Sequence, residues 1–130
     1  MKFSVEKMAS GPIDEFTMML LHSVTNAHIL HLQTNSYSKH KALETYYNEI
    51  GDLVDSFVEA YQGRYELMTM GYAIYGLPSK DATAYITHLS EEVYRLRHSG
   101  PFPKDTELQN IVDEIAALID STLYKLRFLN

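Results

Sequence analysis

Apolar residues recur every three or four positions through four long segments of the chain, and this spacing is the feature that most constrains its fold. The segments cover residues 12–32, 39–62, 78–98 and 106–123. The residues predicted to face the core are Phe16, Met19, Leu20, Ala27 and Leu30 in the first segment; Leu43, Tyr47, Ile50, Val54, Phe57, Val58 and Tyr61 in the second; Ala82, Tyr85, Ile86, Leu89, Val93 and Leu96 in the third; and Leu108, Ile111, Val112, Ile115, Leu118, Ile119 and Leu123 in the fourth. No segment alternates apolar and polar residues as a half-buried strand does, and the chain has no Asn-Gly or Asp-Gly hairpin turn. The pattern therefore predicts an all-α protein, a bundle of four amphipathic helices.

Local signals predict where these helices begin and end. Ser38 can cap the second helix after a polar break, and Gly63 can end it. Gly51 interrupts its middle at a cost of about 1 kcal/mol relative to alanine, which indicates close packing at that point. The Tyr-rich stretch 64–77 carries two glycines and is predicted to form a short extra helix with turns. Thr106 can cap the last helix.

Composition bounds the class of protein. A chain of 130 residues makes one domain, which we place at residues 13–130 behind an N-terminal tail of residues 1–12. The absence of cysteine excludes disulfides and thiolate metal sites. The net charge of −6 argues against a nucleic-acid partner, and no uncharged apolar run is long enough to predict a membrane span. The N-terminal residues lack the apolar stretch of a signal peptide, so a cytoplasmic location is expected.

The second predicted helix carries the pattern most indicative of chemistry. His40 and Glu44 are four residues apart, as are Asp55 and Glu59, and all four project within an arc of about 100°. His40 and Asp55 nevertheless lie ~22 Å apart along the helix axis, too far to bind one ion. Two antiparallel copies of this helix, related by a two-fold axis, would bring the histidine end of one copy to the acidic end of the other. Such mixed imidazole and carboxylate ligands suit Fe(II), Mn(II) or Zn(II). The simpler interpretation is a solvated helix face on which His40 and Glu44 form a weak surface pair.

Residues 14–63 resemble the Dps-like miniferritins of the ferritin-like superfamily, which include short relatives encoded by phages. The resemblance rests on the run 31–43, on Asp52-Leu53-Val54-Asp55 and on Glu59. It implies a ferritin-like four-helix bundle with a short extra helix between the second and third helices. It also implies a homo-oligomer built from two-fold dimers, with a dodecameric shell as the fullest form. For a phage-encoded member, the expected location is the host cytoplasm.

The same resemblance implies an iron site between subunits and the oxidation of Fe(II). Its ligands would be His40 and Glu44 of one chain, Asp55 and Glu59 of the other, and a histidine from the end of the first helix. His31 has the family's local context and His28 has its usual separation from His40, so His28 is kept as the alternate to His31. The chain departs from the family in having no tryptophan, in carrying glutamate where aspartate is more common at position 44, and in lacking a Lys-rich tail for DNA condensation.

Two other functions are compatible with the sequence. One is a structural or interaction protein that uses a ferritin-like scaffold for assembly, or to bind a host factor, without iron chemistry. The other is a small-molecule binder that uses the Tyr-rich segment 61–75 at an interface.

Overall fold

The structure, a computed structural model, describes residues 11–71, 76–77 and 80–129, and this part of the chain is all-helical, with no strand. Its four helices are α1 (Pro12–Gln33), α2 (Tyr37–Arg64), α3 (Ala82–Arg97) and α4 (Thr106–Phe128). They confirm the prediction of a helical bundle. None of the described helices is long and apolar enough to cross a membrane.

Each helix packs against two neighbours, in the order α1, α2, α4, α3 around the bundle. Contacts between helix ends give the directions. Ser38 at the start of α2 donates to the Leu129 carbonyl just beyond α4, at 2.9 Å, and Arg64 at the end of α2 reaches Asp105 before α4. The Arg95 guanidinium near the end of α3 pairs with Glu15 in the first turn of α1. All neighbouring helices therefore run antiparallel.

This arrangement requires a long crossover between the second and third helices. Since α1 and α2 form one antiparallel hairpin and α3 and α4 form another, α2 and α3 lie diagonally across the bundle and point the same way. The chain leaves α2 at one end of the bundle and enters α3 at the other, beside Leu30 and Gln33 at the end of α1. Tyr65 and Asp81, which bound the connection between α2 and α3, therefore lie at opposite ends of the bundle.

The helix boundaries differ from the predicted ones by a few residues. Ser36, not Ser38, caps α2, because its hydroxyl accepts from the Lys39 amide at 3.3 Å. Gly63 does not end α2, which continues to Arg64. The last helix begins at Thr106, so Thr106 is its first residue rather than its cap.

After α2, the described residues of the stretch 64–77 are 65–71 and 76–77, and they form no helix. The prediction of a short helix is therefore wrong for these residues. The amide of Met68 bonds to the side chain of Gln62 at 3.0 Å instead of to a carbonyl four residues earlier. Residues 72–75 lie outside the described residues. Of the predicted N-terminal tail, only Gly11 and Pro12 are described, and Pro12 is the first residue of α1.

The core contains most of the residues predicted to face inward. In α1 and α3 every predicted core residue is buried, whereas the predicted stripes of α2 and α4 also include half-buried members such as Tyr47 and Leu118. The largest fully buried side chains are Tyr46, Phe16, Phe57, Phe102, Leu20, Leu43, Ile50, Ile86, Leu89, Leu96, Leu108 and Ile115. Two pairs of buried polar groups are bonded to each other: the Tyr46 and Ser23 hydroxyls lie 2.7 Å apart, and the Asn26 amide donates to the Tyr85 hydroxyl at 3.2 Å.

Asp105 joins the start of the crossover to the start of α4. Its carboxylate accepts from the Tyr65 hydroxyl at 2.5 Å and from the Arg64 guanidinium at 3.2 Å. The Tyr65 hydrogen bond and the Arg64 cation hold the pKa of Asp105 below its usual value. Because this carboxylate is engaged by Arg64 and Tyr65, it does not bond to the first amides of α4.

We expect Asp105→Asn to lower the melting temperature at neutral pH and to have a smaller effect in acid. A pKa that is lower in the folded state stabilises the protein above the unfolded pKa, about 3.9, and this contribution is lost as the pH falls through the folded value. The measurement is the difference in melting temperature between wild type and variant from pH 7 to pH 3. A difference that stays constant across this range would contradict the assignment.

Candidate metal site at the turn between α1 and α2

His31 and His40 are brought into contact by the short turn that joins α1 to α2. Their rings stack with centroids 3.6 Å apart and planes 20° apart. Each ring also bonds to the backbone of the other residue: His31 Nδ1 lies 2.7 Å from the His40 carbonyl, and His40 Nδ1 lies 2.9 Å from the His31 carbonyl. His31 is buried, and His40 is half-buried.

These reciprocal bonds show which nitrogen of each ring carries a proton. A carbonyl oxygen can only accept, so each Nδ1 must carry the proton and donate it. In the neutral ring, Nε2 then keeps its lone pair, which is the form in which histidine binds a metal. The same bonds also close the turn, because the His31 carbonyl belongs to the last turn of α1, where carbonyls lack helical partners. The pair therefore has a structural role as well as a ligand-like geometry.

His28 and Tyr47 extend this aromatic cluster. The His28 ring stacks on Tyr47 at 4.6 Å, and the Tyr47 ring meets His31 edge-on at 5.3 Å. The ring centroid of His28 lies 5.8 Å from that of His31. Of the two histidines proposed from α1, the structure thus brings His31 against His40 and leaves His28 exposed, stacked on Tyr47.

Glu44 lies next to the histidine pair but is bonded to a lysine. Its carboxylate accepts from Lys41 at 3.0 Å, and both side chains are partly exposed. The Lys41 hydrogen bond and charge lower the pKa of Glu44, and the nearby His31 and His40 lower it further. The carboxylate is thus ionised and close to both imidazoles, but a metal ion would have to compete with Lys41 for it.

Asp55 and Glu59 lie on the same edge of α2 as His40, further along the helix. Both are exposed, and neither forms an ion pair within the described part of the chain. Among the described residues, no group of three or more histidines, aspartates or glutamates converges closely enough to hold a metal. The site predicted from sequence combines the histidine end of α2 from one chain with the acidic end of α2 from another. Within a single chain, these two halves of the site are far apart.

Gly51 lies between these halves, and its surroundings differ from the expectation. Close packing predicted at this glycine is not found within the chain, since a Cβ placed there would meet nothing within 4 Å. By helical periodicity, Gly51 projects within about 40° of His40, Glu44 and Asp55. The fold of the single chain therefore does not explain why a glycine is placed in the middle of α2.

Comparison with known proteins yields a family and one phage relative. A model described as a family of unknown function (DUF5856) matches residues 31–126, a range that includes the candidate ligands on α2 and His31. An uncharacterized 14.6 kDa protein in the mobD-ri intergenic region of Enterobacteria phage T4 is 37% identical over 65 residues, which is 48% of this chain and 51% of the phage protein. The match thus spans about half of the phage protein's length. No solved structure gives a significant match.

Proposed function

The chain belongs to the DUF5856 family, whose function is unknown, and from that premise we propose that it is a ferritin-like protein that binds Fe(II) between two chains and oxidises it. The observation that carries the proposal is the reciprocal bonding of His31 and His40, which leaves both Nε2 atoms as lone-pair donors at one edge of α2. Imidazole ligands hold Fe(II), and added carboxylates favour the Fe(III) product.

The helix connectivity supports the ferritin-like part of the proposal. Two antiparallel hairpins joined by one long crossover, with α2 and α3 parallel, are the arrangement of ferritin-like bundles, whereas simple up-and-down bundles have short loops throughout. The ferritin-like part of the proposal therefore rests on the directions of the helices and on their order around the bundle, which the amphipathic pattern alone does not define.

The two halves of the site support a two-fold axis near the middle of α2. His40 pairs with the partner's position 59 and Glu44 with its position 55 if the axis passes between residues 49 and 50. Gly51 is one to two residues from that point and on the same side of the helix. A glycine there lets two helices approach closely, which offsets its helical cost of about 1 kcal/mol.

The donor set fits iron with two adjustments. The His31 and His40 rings are stacked and nearly parallel, so their Nε2 lone pairs lie in two separate planes, and one ring must tilt for both to bind one ion. The Glu44 carboxylate must leave Lys41, or bind through water. His40 is half-buried whereas His31 is buried, so His40 is the ring with room to tilt, and the Lys41–Glu44 pair is partly exposed.

The proposed reaction uses Fe(II) as the substrate and dioxygen or hydrogen peroxide as the oxidant. With peroxide, two Fe(II) ions give one electron each, and the peroxide takes up two protons to leave as two waters. A two-fold dimer holds two equivalent sites, so metal-free protein should bind Fe(II) in equal sites, two per dimer. Anaerobic Fe(II) titration combined with mass measurement tests this. Protein that binds no Fe(II) above the buffer blank would overturn the proposal.

The substitution Gly51→Gln tests dimer formation without weakening the fold of the single chain. A Cβ at this position would meet nothing within 4 Å in the described part of the chain, and glutamine favours a helix over glycine by roughly 0.5–1 kcal/mol. The variant should therefore unfold at the same or a higher urea concentration. We expect it nevertheless to weaken dimer formation and Fe(II) oxidation, because its side chain fills the crossing point. Sizing and oxidation assays on the same preparation check this. A variant that still forms the dimer and oxidises iron would contradict the proposed axis.

A second candidate function is a protein of phage type that assembles or binds a host factor on this scaffold without iron chemistry. It is favoured by the structural role of His31 and His40 in closing the turn, which explains both residues without a metal. The similar phage T4 protein is compatible with this setting. A defined oligomer that binds no Fe(II) in the titration would support it.

A further inference from the structure

The face of α2 that carries the proposed iron ligands is strongly acidic. Glu44, Asp55 and Glu59 project within an arc of about 60° around the helix axis. The exposed Asp52 lies about 20° beyond that arc. The same arc holds a single basic side chain, Lys41, which is bonded to Glu44 at 3.0 Å. The three ligand carboxylates and this one ammonium therefore leave a charge of −2 on the ligand face of each chain.

The other basic side chains of α2 do not offset this charge. The Arg64 guanidinium donates to Asp105 before α4, at 3.2 Å. Lys39 lies on the opposite side of the helix, where it lines a cavity beside Lys80 at the start of α3. Apart from Glu44, the carboxylates of the ligand face form no ion pair with any described residue. The negative charge of this face is therefore uncompensated within one chain.

Pairing two copies of the ligand face places like charges opposite each other. About the two-fold axis proposed between residues 49 and 50, Glu44 of each chain faces position 55 of the other, which is Asp55. A two-fold contact is isologous, so this pair of carboxylates occurs twice. Like charges that meet at an interface oppose association. Two metal-free chains therefore repel each other at the contact that the iron site requires.

A divalent cation at each of the two sites removes this repulsion. Two such ions bring four positive charges, which equal the four negative charges on the paired ligand faces. The Nε2 lone pairs of His31 and His40 supply neutral donors to the ion, and the carboxylates supply the charge. Within the described part of one chain, no group of three or more such ligands converges. The ion is therefore bound better by two chains than by one.

We propose that divalent metal ions control the assembly of this protein, so that two chains pair through α2 when the metal is bound and separate when it is removed. This inference rests on the proposed iron site and adds to it a coupling between metal binding and association. An ion that binds the pair better than the single chain shifts the equilibrium toward the pair by mass action. The coupling is reciprocal, so pairing also tightens metal binding. Fe(II), the proposed substrate, thus assembles the site that oxidises it.

Association of the wild-type protein in EDTA and in Mn(II) tests the coupling. Mn(II) is the probe because it binds imidazole and carboxylate ligands and is not oxidised by air at neutral pH. Analytical ultracentrifugation should show association at least tenfold tighter in Mn(II) than in EDTA, and renewed chelation should reverse it. Raising the KCl concentration should also tighten the metal-free pair, because screening weakens repulsion between exposed charges. Metal-free protein that associates as tightly as the Mn(II) form would refute the inference.

The variant Asp55→Asn/Glu59→Gln separates charge repulsion from a loss of contacts. It keeps the shapes of both side chains and removes two negative charges from each ligand face. Its metal-free form should associate at least tenfold more tightly than metal-free wild type, and Mn(II) should add nothing further. If the two carboxylates instead served as attractive contacts, the variant would associate more weakly, and the inference would be wrong.

The matched control is Glu91→Gln/Asp120→Asn, which makes the same change in net charge on the exposed surfaces of α3 and α4. It should keep the wild-type dependence of association on Mn(II). Thermal unfolding of both variants verifies the fold, since all four substituted side chains are exposed.

A count of bound ions on the same samples separates this inference from the proposed function. Binding of two ions per dimer, with equal association in EDTA and in Mn(II), would disprove the coupling and leave the iron site intact. Protein that binds neither Mn(II) nor, under argon, Fe(II) would contradict both.

Discussion

Replacing Asp55 and Glu59 together by alanine should reduce Fe(II) oxidation to the buffer blank while leaving the bundle folded. Both carboxylates are exposed and lack ion pairs in the described chain, so their removal takes no contact from the core. Changes to groups that only support metal ligands cost about 10–100-fold in affinity or activity, and loss of two ligands should exceed that. The rate is measured by absorbance of the ferric product on metal-free protein.

The matched control removes two exposed carboxylates elsewhere. Glu91→Ala combined with Asp120→Ala makes the same change in net charge on α3 and α4, and it should keep the wild-type rate. If the Asp55/Glu59 variant oxidises iron as fast as this control, the proposed site is wrong.

Subunit mixing tests whether the site is shared between chains. A second variant, His31→Ala/His40→Ala, lacks the other half of the ligands. Random pairing of the two inactive variants makes half of the dimers hybrid, and each hybrid has one of its two sites intact. The mixture should therefore recover about one quarter of the wild-type activity, as the two-fold geometry requires. A site contained within one chain would recover none.

The fold could be predicted from sequence to the level of four helices, because their apolar spacing records which side of each helix is buried. Leu20, Ile50 and Ile86 are all fully buried at predicted positions. The order of the helices around the bundle depends instead on how hairpins pack together, which contacts such as that between Ser38 and the Leu129 carbonyl reveal. Helical spacing within one segment carries no information about such contacts.

The positions of the candidate ligands on α2 could be predicted from the sequence, whereas the contact between His31 and His40 across the turn could not. A period of 3.6 residues is enough to place His40 and Asp55 on one edge of a helix. The stacking of His31 on His40 depends on the turn geometry between two helices, and the Nδ1 donors of both rings are identified by backbone carbonyls that no spacing rule predicts. Lys41 was likewise missed as the partner of Glu44, although a separation of three residues is a recognised helical ion-pair spacing.

Phe102 was the clearest omission from the predicted core. Its neighbours Pro101 and Pro103 mark a stop between helices, and loop residues are usually exposed. The structure instead buries Phe102 to 1% exposure, with its ring centroid 5.2 Å from that of Phe16 and 5.9 Å from that of Phe57. The loop between α3 and α4 thus closes one end of the bundle with an aromatic side chain.

Phe102→Ala should therefore be among the most destabilising substitutions in the chain, with a loss of about 3–5 kcal/mol in the free energy of unfolding. The substitution removes a buried ring and leaves a cavity between Phe16 and Phe57, which α1 and α2 hold in place. Since domains are stable by only about 5–15 kcal/mol, the variant should unfold at a much lower urea concentration. Leu67→Ala, at a position 80% exposed, is the control and should change stability by less than about 0.5 kcal/mol. Equal urea midpoints for the two variants would mean that the loop does not close the core, whereas a large difference would establish Phe102 as a core residue of the bundle.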